Sequence, residues 1–426
     1  MDSRVATASP SRSPPRLVLL LGLAVFINYI DRGNLATASP IIKGELHLSV
    51  TEIGILLSAF FWTYMPMQLV SGWLAERFDV GRVIAVGFTV WSVATMLTGV
   101  VSAFALLLAL RLLLGLGESV SFPGSGKLLA RYTAVDKRGS ANGVQACGLA
   151  FGPAFGTLVG GLILERFGWR PLFISMGALS LLWLWPWLTG PARVITEAGT
   201  GTTSSQRSNL WVELEQYLEI ALRREALGAS LSHFCSNYSL YFLVSWLPLY
   251  LVQDRGFSIR QMAVLGAGVY SVMGGAALVS GWGLDQWIRR GATPNRAYKT
   301  AFITAQAGTA LCLVGAVVGT PVVSACCLLL AGAAWGLGSP GVFAAAQTMA
   351  GPTAAGRWMG FQNCVANLAG IVGPIVTGYL VDRTGNFYFA FVLTIIVALI
   401  GMFAWTVVVP RIEPLPWPAG AALARK

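Results

Sequence analysis

Apolar runs of about 20 residues recur along this chain between polar breaks, and each is long enough to cross the roughly 30 Å core of a bilayer as a helix. Twelve are expected as spans: residues 17–38, 53–74, 83–102, 104–128, 141–164, 170–189, 228–252, 261–284, 299–319, 321–349, 357–381 and 387–409. In lipid every backbone polar group must be met inside the protein, which leaves helices or closed barrels, and barrel strands need only about ten residues. The chain is 55% hydrophobic and only 11% charged, too apolar for a soluble domain. The expectation is an all-α polytopic membrane protein with twelve transmembrane helices.

An even number of spans puts both termini on one side, and 21 of the 29 Lys and Arg residues fall on that side. By the positive-inside rule it is cytoplasmic, which suits a multi-pass protein of the inner (plasma) membrane. The formal net charge of +11 is thus mostly an orientation signal, and no nucleic-acid partner is expected. A signal peptide is rejected, although Ala36-Thr37-Ala38 looks like a cleavage site, because cleavage would remove Asp31 and Arg32 and leave an odd number of spans. The six cysteines lie in apolar runs with no CxxC pair and no metal-ligand spacing, so they are expected as small apolar fillers. No metal or cofactor is expected.

Residues 190–227 form the longest polar stretch, a cytoplasmic linker with an expected amphipathic helix from Leu210 to Arg224. It divides six spans from six, and internal repetition supports the division. Ser71-Gly72-Trp73-Leu74-Ala75-Glu76-Arg77 is echoed by Ser280-Gly281-Trp282-Gly283-Leu284-Asp285-Gln286. Gly161-Leu162-Ile163-Leu164-Glu165-Arg166-Phe167-Gly168 is echoed by Gly378-Tyr379-Leu380-Val381-Asp382-Arg383-Thr384-Gly385. The expected organisation is an N-terminal tail at 1–16, six-helix bundles at 17–189 and 228–409, and a C-terminal tail at 410–426. Two such bundles rocking about a midplane site are the architecture of alternating access.

Apart from the bases at span ends, Lys127, Arg170, Lys299 and Arg357, the spans enclose four charged residues, Asp31, Arg32, Arg111 and Glu118, all in the first half. Each costs on the order of 2.5 to 3.5 kcal/mol to insert, so such residues are read as functional. Tyr29 and Arg32 share a helix face by i, i+3 spacing, as do Arg111 and Glu118, seven apart, while Asp31 points about 100° away from Arg32. At 1.5 Å per residue, Arg32 and Arg111 both fall about 10 Å from the outer face, with Glu118 about 10 Å deeper. A guanidinium fork suits an organic carboxylate, and a buried carboxyl suits a proton carrier. Two roles fit Arg111: permanent structural partner of Glu118, or a cation whose approach and withdrawal retunes that acid.

Gly72-Trp73-Leu74-Ala75-Glu76-Arg77 with Gly81-Arg82 resembles the signature loop of the major facilitator superfamily, although Glu76 stands where Asp is usual. Asn28-Tyr29-x-Asp31-Arg32, Arg111 with Glu118, and Asn237-Tyr238-x-x-Tyr241 leading to Trp246-Leu247-Pro248-x-Tyr250 resemble its anion:cation symporter family. That resemblance covers nearly all of residues 17–409 and implies a major facilitator fold of two six-helix bundles. It also implies proton-coupled symport of a small organic anion, such as a hexuronate or aldonate. Tyr29, Arg32, Tyr64, Gln145 and Asn363 then resemble substrate ligands, and Asp31 and Glu118, with Arg111, a proton-coupling group. Ser339-Pro340 stands where several sugar-acid carriers have Trp-Pro. The expected partners are the anion, protons and the lipid bilayer, with the chain a monomer.

Three rival readings are weaker. Pro123-Gly124-Ser125-Gly126-Lys127 lacks the first Gly and the final Ser or Thr of a phosphate loop, and with no HExxH or G-x-S-x-G an enzyme is not expected. Gly148-x-x-x-Gly152-Pro153-x-x-Gly156 resembles a drug/proton antiporter motif. Gly370-x-x-Gly373-Pro374 repeats it in the second half, which is more simply close backbone packing at a helix kink. Exchange of organic anions or phosphate esters is the third.

Overall fold

The computed structural model describes residues 15–132, 138–197 and 218–416, and among these every regular element is helical. By its internal contacts the chain forms two compact units, Met1–Leu48 with Ile55–Thr203 and Ser49–Gly54 with Ser204–Lys426. Eleven helical segments among the described residues are long and apolar enough to cross a membrane. The expected amphipathic helix at 210–224 lies largely outside the described residues.

In the first unit, α1 runs Pro15–Glu45, α2 Val50–Arg77 (its first turn, to Gly54, grouped with the second unit), α3 Val80–Thr98, α4 Phe104–Glu118 and α5 Ser121–Tyr132. They are followed by α6 (Arg138–Phe167), α7 (Trp169–Leu181), α8 (Leu184–Thr189) and α9 (Pro191–Glu197). α1 continues seven residues beyond the expected span end, through Pro40. Proline has no N–H to give the Ala36 carbonyl, and Ser39 Oγ donates to that carbonyl instead, at 2.8 Å. Glu45 closes the helix by accepting from Trp169 Nε1 at 2.6 Å and from Arg170. The expected fourth span is broken into α4 and α5 at Ser119-Val120, where Pro123 cannot donate to the Ser119 carbonyl, so Glu118 is the last residue of α4.

Small residues set how closely these helices approach, because lipid supplies no hydrophobic force between them. A Cβ on Gly148 would lie 2.7 Å from the Gly22 carbonyl oxygen, one on Gly152 2.8 Å from that of Phe26, and one on Gly156 3.1 Å from Ile30 Cα. The glycines of the antiporter-like motif are therefore filled by the backbone of α1. An aromatic column runs through the unit: Trp91 against Phe88 at 4.1 Å, Phe88 against Trp183 at 4.1 Å, and Trp183 against Trp187 at 4.9 Å between ring centroids. Trp183 and Trp187 donate their indole N–H groups to the Leu20 and Gly81 carbonyls, each at 2.9 Å.

The second unit holds α10 (Arg224–Gln253), α11 (Ile259–Arg289), α12 (Pro294–Val318), α13 (Pro321–Thr384) and α14 (Tyr388–Phe403), which ends in a π turn at Ala404–Val408. α10 is the expected seventh span and has 30 residues, but its Ser, His and Asn side chains keep it out of the apolar set. The expected tenth and eleventh spans are joined in one helical run, α13, rather than separated by a loop. The short junction between them stays helical, so its backbone groups are met within the chain. At the C-terminal end of α12, Arg255 donates from Nη2 to the Ala316 and Val317 carbonyls at 2.6 and 2.7 Å, a cation on the negative end of a helix.

Gly115 tests the close approach of α4 to α2. An added Cβ would sit 2.2 Å from the Phe60 carbonyl oxygen and 2.5 Å from Thr63 Oγ1. Gly115→Ala should cost about 1–3 kcal/mol, since backbone must shift. Gly126→Ala meets nothing within 4 Å and should stabilise by about 0.5–1 kcal/mol through helix propensity alone. Apparent melting temperatures of the two purified variants in detergent should move in opposite directions.

Candidate functional site

Arg32 leaves α1 toward α2, where aromatic residues at i and i+4, Phe60 and Tyr64, present one face. With Tyr29 they box the guanidinium: its Cζ lies 4.7 Å from the Tyr29 centroid, 4.7 Å from Phe60 and 4.4 Å from Tyr64. Ring faces attract a cation, and the attraction strengthens where water is excluded. Arg32 Nε donates to Glu118 Oε2 at 2.9 Å, and the Glu118 side chain is fully buried. Arg32 Nη2 and Glu118 Oε1, both buried, close no full hydrogen bond among the described residues, although Tyr64 lies beside the guanidinium and the Asn28 amide faces Glu118. The site therefore holds a cation beside an acid, each with one buried polar atom not fully met.

This pairing corrects two expectations. Glu118 is bonded to Arg32 and not to Arg111, whose Nε instead donates to the Leu56 carbonyl at 3.3 Å. Arg32 and Glu118 are also level rather than about 10 Å apart in depth. Because α1 continues to Glu45, Arg32 lies about 20 Å from its helix end, as Glu118 does from the start of α4.

Asp31, one residue before Arg32, turns to the other side of α1, as the 100° step implies. It is buried, and its Oδ1 accepts from Asn34 Nδ2 at 3.2 Å. Its surroundings are α3 and the α4 charges Glu118 and Arg111. Tyr29, Arg32, Tyr64 and Glu118 thus form one group, with Asp31 and Arg111 on its flanks. Gln145 is buried on α6, one turn before Gly148, and its Nε2 has no hydrogen-bond partner among the described residues. Asn363 belongs to the second unit and is half-buried on α13. There its carbonyl accepts from Asn367 Nδ2 at 2.9 Å, and Asn367 Oδ1 accepts from Tyr241 Oη at 2.7 Å.

Sequence reasoning assigned no role to Phe60 and Asn28 in the first unit or to Asn367 in the second. Phe60 could have been found by its spacing from Tyr64. Asn28, whose amide faces Glu118, stands in the motif that contains Asp31 and Arg32. Asn367 is one turn from Asn363, and its contact with Tyr241 had no local signal.

A model described as Major Facilitator Superfamily matches residues 21–374 and 298–424. Similar curated proteins include the hexuronate transporter of Bacillus subtilis (strain 168), 28% identical over 94% of each chain. The probable sulfoacetate transporter SauU of Cupriavidus necator is 30% identical over 87% of this chain and 88% of its own. The probable galactarate/D-glucarate transporter GudP of Escherichia coli (strain K12) is 29% identical over 96% of this chain and 97% of its own. Among solved structures, a bacterial homolog of the human lysosomal transporter Spinster superposes with a TM-score of 0.76 at 17% identity, covering 94% of this chain and 98% of that one. That likeness is one of fold.

The Arg32–Glu118 pair makes a testable thermodynamic unit. Removing one partner strands a buried charge, so Arg32→Met or Glu118→Ala alone should each destabilise the protein by roughly 3 kcal/mol. The double variant should lose less than the sum by more than about 1 kcal/mol, as groups in contact do. Additive losses in melting temperature across this cycle would show that the two side chains do not stabilise one another.

Proposed function

The chain belongs to the Major Facilitator Superfamily and is a membrane transporter rather than an enzyme. From that premise we propose that it carries a small organic anion, a sugar acid such as a hexuronate or aldonate, together with protons by alternating access. The observation that carries the reading is the caged Arg32: a fixed cation with one buried donor not fully met, bonded to an acid that can lose or gain a proton. In this reading the substrate carboxylate takes the free side of the Arg32 fork, Tyr29 and Tyr64 flank it, and Gln145 and Asn363 supply hydrogen bonds to hydroxyls. The names of the relatives support an oxyanion cargo. Both termini are cytoplasmic and the chain acts as a monomer in the inner membrane.

Coupling follows from energetics. A monoanion entering against an inside-negative potential is opposed by about 2.3 kcal/mol per 100 mV. One proton makes entry electroneutral, and a second reverses the sign so that the potential drives it. Glu118 carries one proton: substrate binding at Arg32 competes for the guanidinium and releases Glu118 to be protonated. Asp31 carries the second or gates it. Arg111, held on the α2 backbone beside both acids, supplies a fixed positive field. The antiport reading has less behind it, since close packing on α1 accounts for the glycine motif.

A thermal-shift screen of sugar acids, small sulfonates and the matching neutral sugars tests the cargo, because a ligand that binds only the folded state raises its melting temperature. Acids should shift the protein and neutral sugars of the same skeleton should not. With the best acid as probe, Arg32→Lys should weaken binding about tenfold to a hundredfold, since Lys keeps the charge and loses the fork. Unchanged affinity would remove Arg32 from the binding site.

Coupling is tested in liposomes. Glu118→Gln imitates the protonated acid, so it should still exchange labelled for unlabelled probe but fail to accumulate it under a pH gradient. Accumulation at the wild-type level, with the same dependence on the gradient, would assign Glu118 a structural role only.

A further inference from the structure

Trp91 and Thr95 stand one turn apart on α3 and so share a face. Both are buried, at 0% and 3% exposure, and that face is turned to Asp31. Of the three indoles in the aromatic column, those of Trp183 and Trp187 each donate to a backbone carbonyl. The Trp91 indole N–H has no such acceptor among the described residues. Trp91 Nε1, Thr95 Oγ1 and Asp31 Oδ2 are all enclosed, and none closes to full hydrogen-bonding geometry. Two donors and one carboxylate oxygen thus face each other across α3 and α1, each unmet, where an unmet polar atom is costly.

The backbone of α3 is held on both sides at this point. Gly117 of α4 packs so closely that a Cβ there would lie 2.7 Å from Trp91 N. Gly177 of α7 does the same to Met96 N at 2.5 Å and the Ser92 carbonyl oxygen at 2.6 Å. The ring column fixes the Trp91 indole as well. The two donors are therefore stationary, and the movable part is the Asp31 side chain.

We infer that Trp91 and Thr95 are positioning residues for Asp31, a fixed two-donor cradle that closes on its carboxylate when charged and opens when it is protonated. The inference rests on the reading of Asp31 as a proton-coupling group. Donor hydrogen bonds favour the charged form of an acid, so the cradle sets the pH at which Asp31 takes up its proton. Other groups act on the same carboxyl. From α4 come the negative charge of Glu118 and the positive charge of Arg111, and from α1 itself the Asn34 amide. α6 contributes glycines here, Gly156 against Ile30 and Gly160 beside Asn34.

The test needs no substrate. Infrared difference spectra of the full chain in lipid, recorded as pH is stepped, show a protonated-carboxyl band for each buried acid that titrates, and the Asp31 band is the one lost in Asp31→Asn. In Thr95→Val and in Trp91→Phe its midpoint should move to higher pH by about one unit for each donor removed, while Thr95→Ser, which keeps the hydroxyl, should hold the wild-type midpoint. A merely structural role for either residue would lower the melting temperature without moving that midpoint. An Asp31 band present in the wild type and unmoved in Thr95→Val and Trp91→Phe would overturn the cradle while leaving Asp31 as a proton carrier. No band lost in Asp31→Asn across the accessible pH range would instead overturn the coupling reading itself, and the cradle with it.

Discussion

A guanidinium and a carboxylate 2.9 Å apart inside an apolar helical unit are the interaction on which the other features of this protein depend. Neither charge is tolerable alone at that depth, and a buried pair offsets its desolvation only when geometry and further contacts are good. Three aromatic rings meet the faces of the Arg32 guanidinium where water would otherwise be needed. The pair also demands that α1, α2 and α4 hold a fixed relation. Flush contacts provide it: Gly115 of α4 on Phe60 and Thr63 of α2, and the Gly148, Gly152 and Gly156 stripe of α6 on α1.

The same economy of polar groups recurs away from the site. Where Pro40 leaves a carbonyl unmet, Ser39 donates to it. Where α12 ends, Arg255 covers its last carbonyls. Lys299 donates to the Val409 and Pro410 carbonyls after the final π turn. In water these groups could be left to solvent, but in a bilayer each must be met within the chain. Buried polar atoms left unmet among the described residues occur in both units, and those on Arg32, Glu118, Asp31, Trp91 and Thr95 gather around the charges of the first unit.

Asp31 and Arg32 are neighbours in sequence and serve opposite sides of one helix. A single 100° step sends the cation into the aromatic box with Glu118 and the acid toward α3. Two acids can then sit in one unit in different surroundings, one bonded directly to a cation and the other facing neutral donors. Arg111, bonded to the α2 backbone, provides a positive charge near both without being consumed by either.

The repeated apolar spans, the all-helical class, the family and the four intramembrane charges were legible in the residues themselves, because hydropathy and helical spacing are local properties; the exact span ends were not. So was the divergence of Asp31 from Arg32, which needs only the 3.6-residue period. Which arginine holds Glu118 was not legible. Spacing places Arg111 on the same face as Glu118, but the choice of partner depends on the axial register between α1 and α4, which no single helix encodes. That register comes from the continuation of α1 to Glu45 and from glycine contacts between helices. For the same reason Trp91 and Thr95 opposite Asp31 emerged only once α3 was packed against α1.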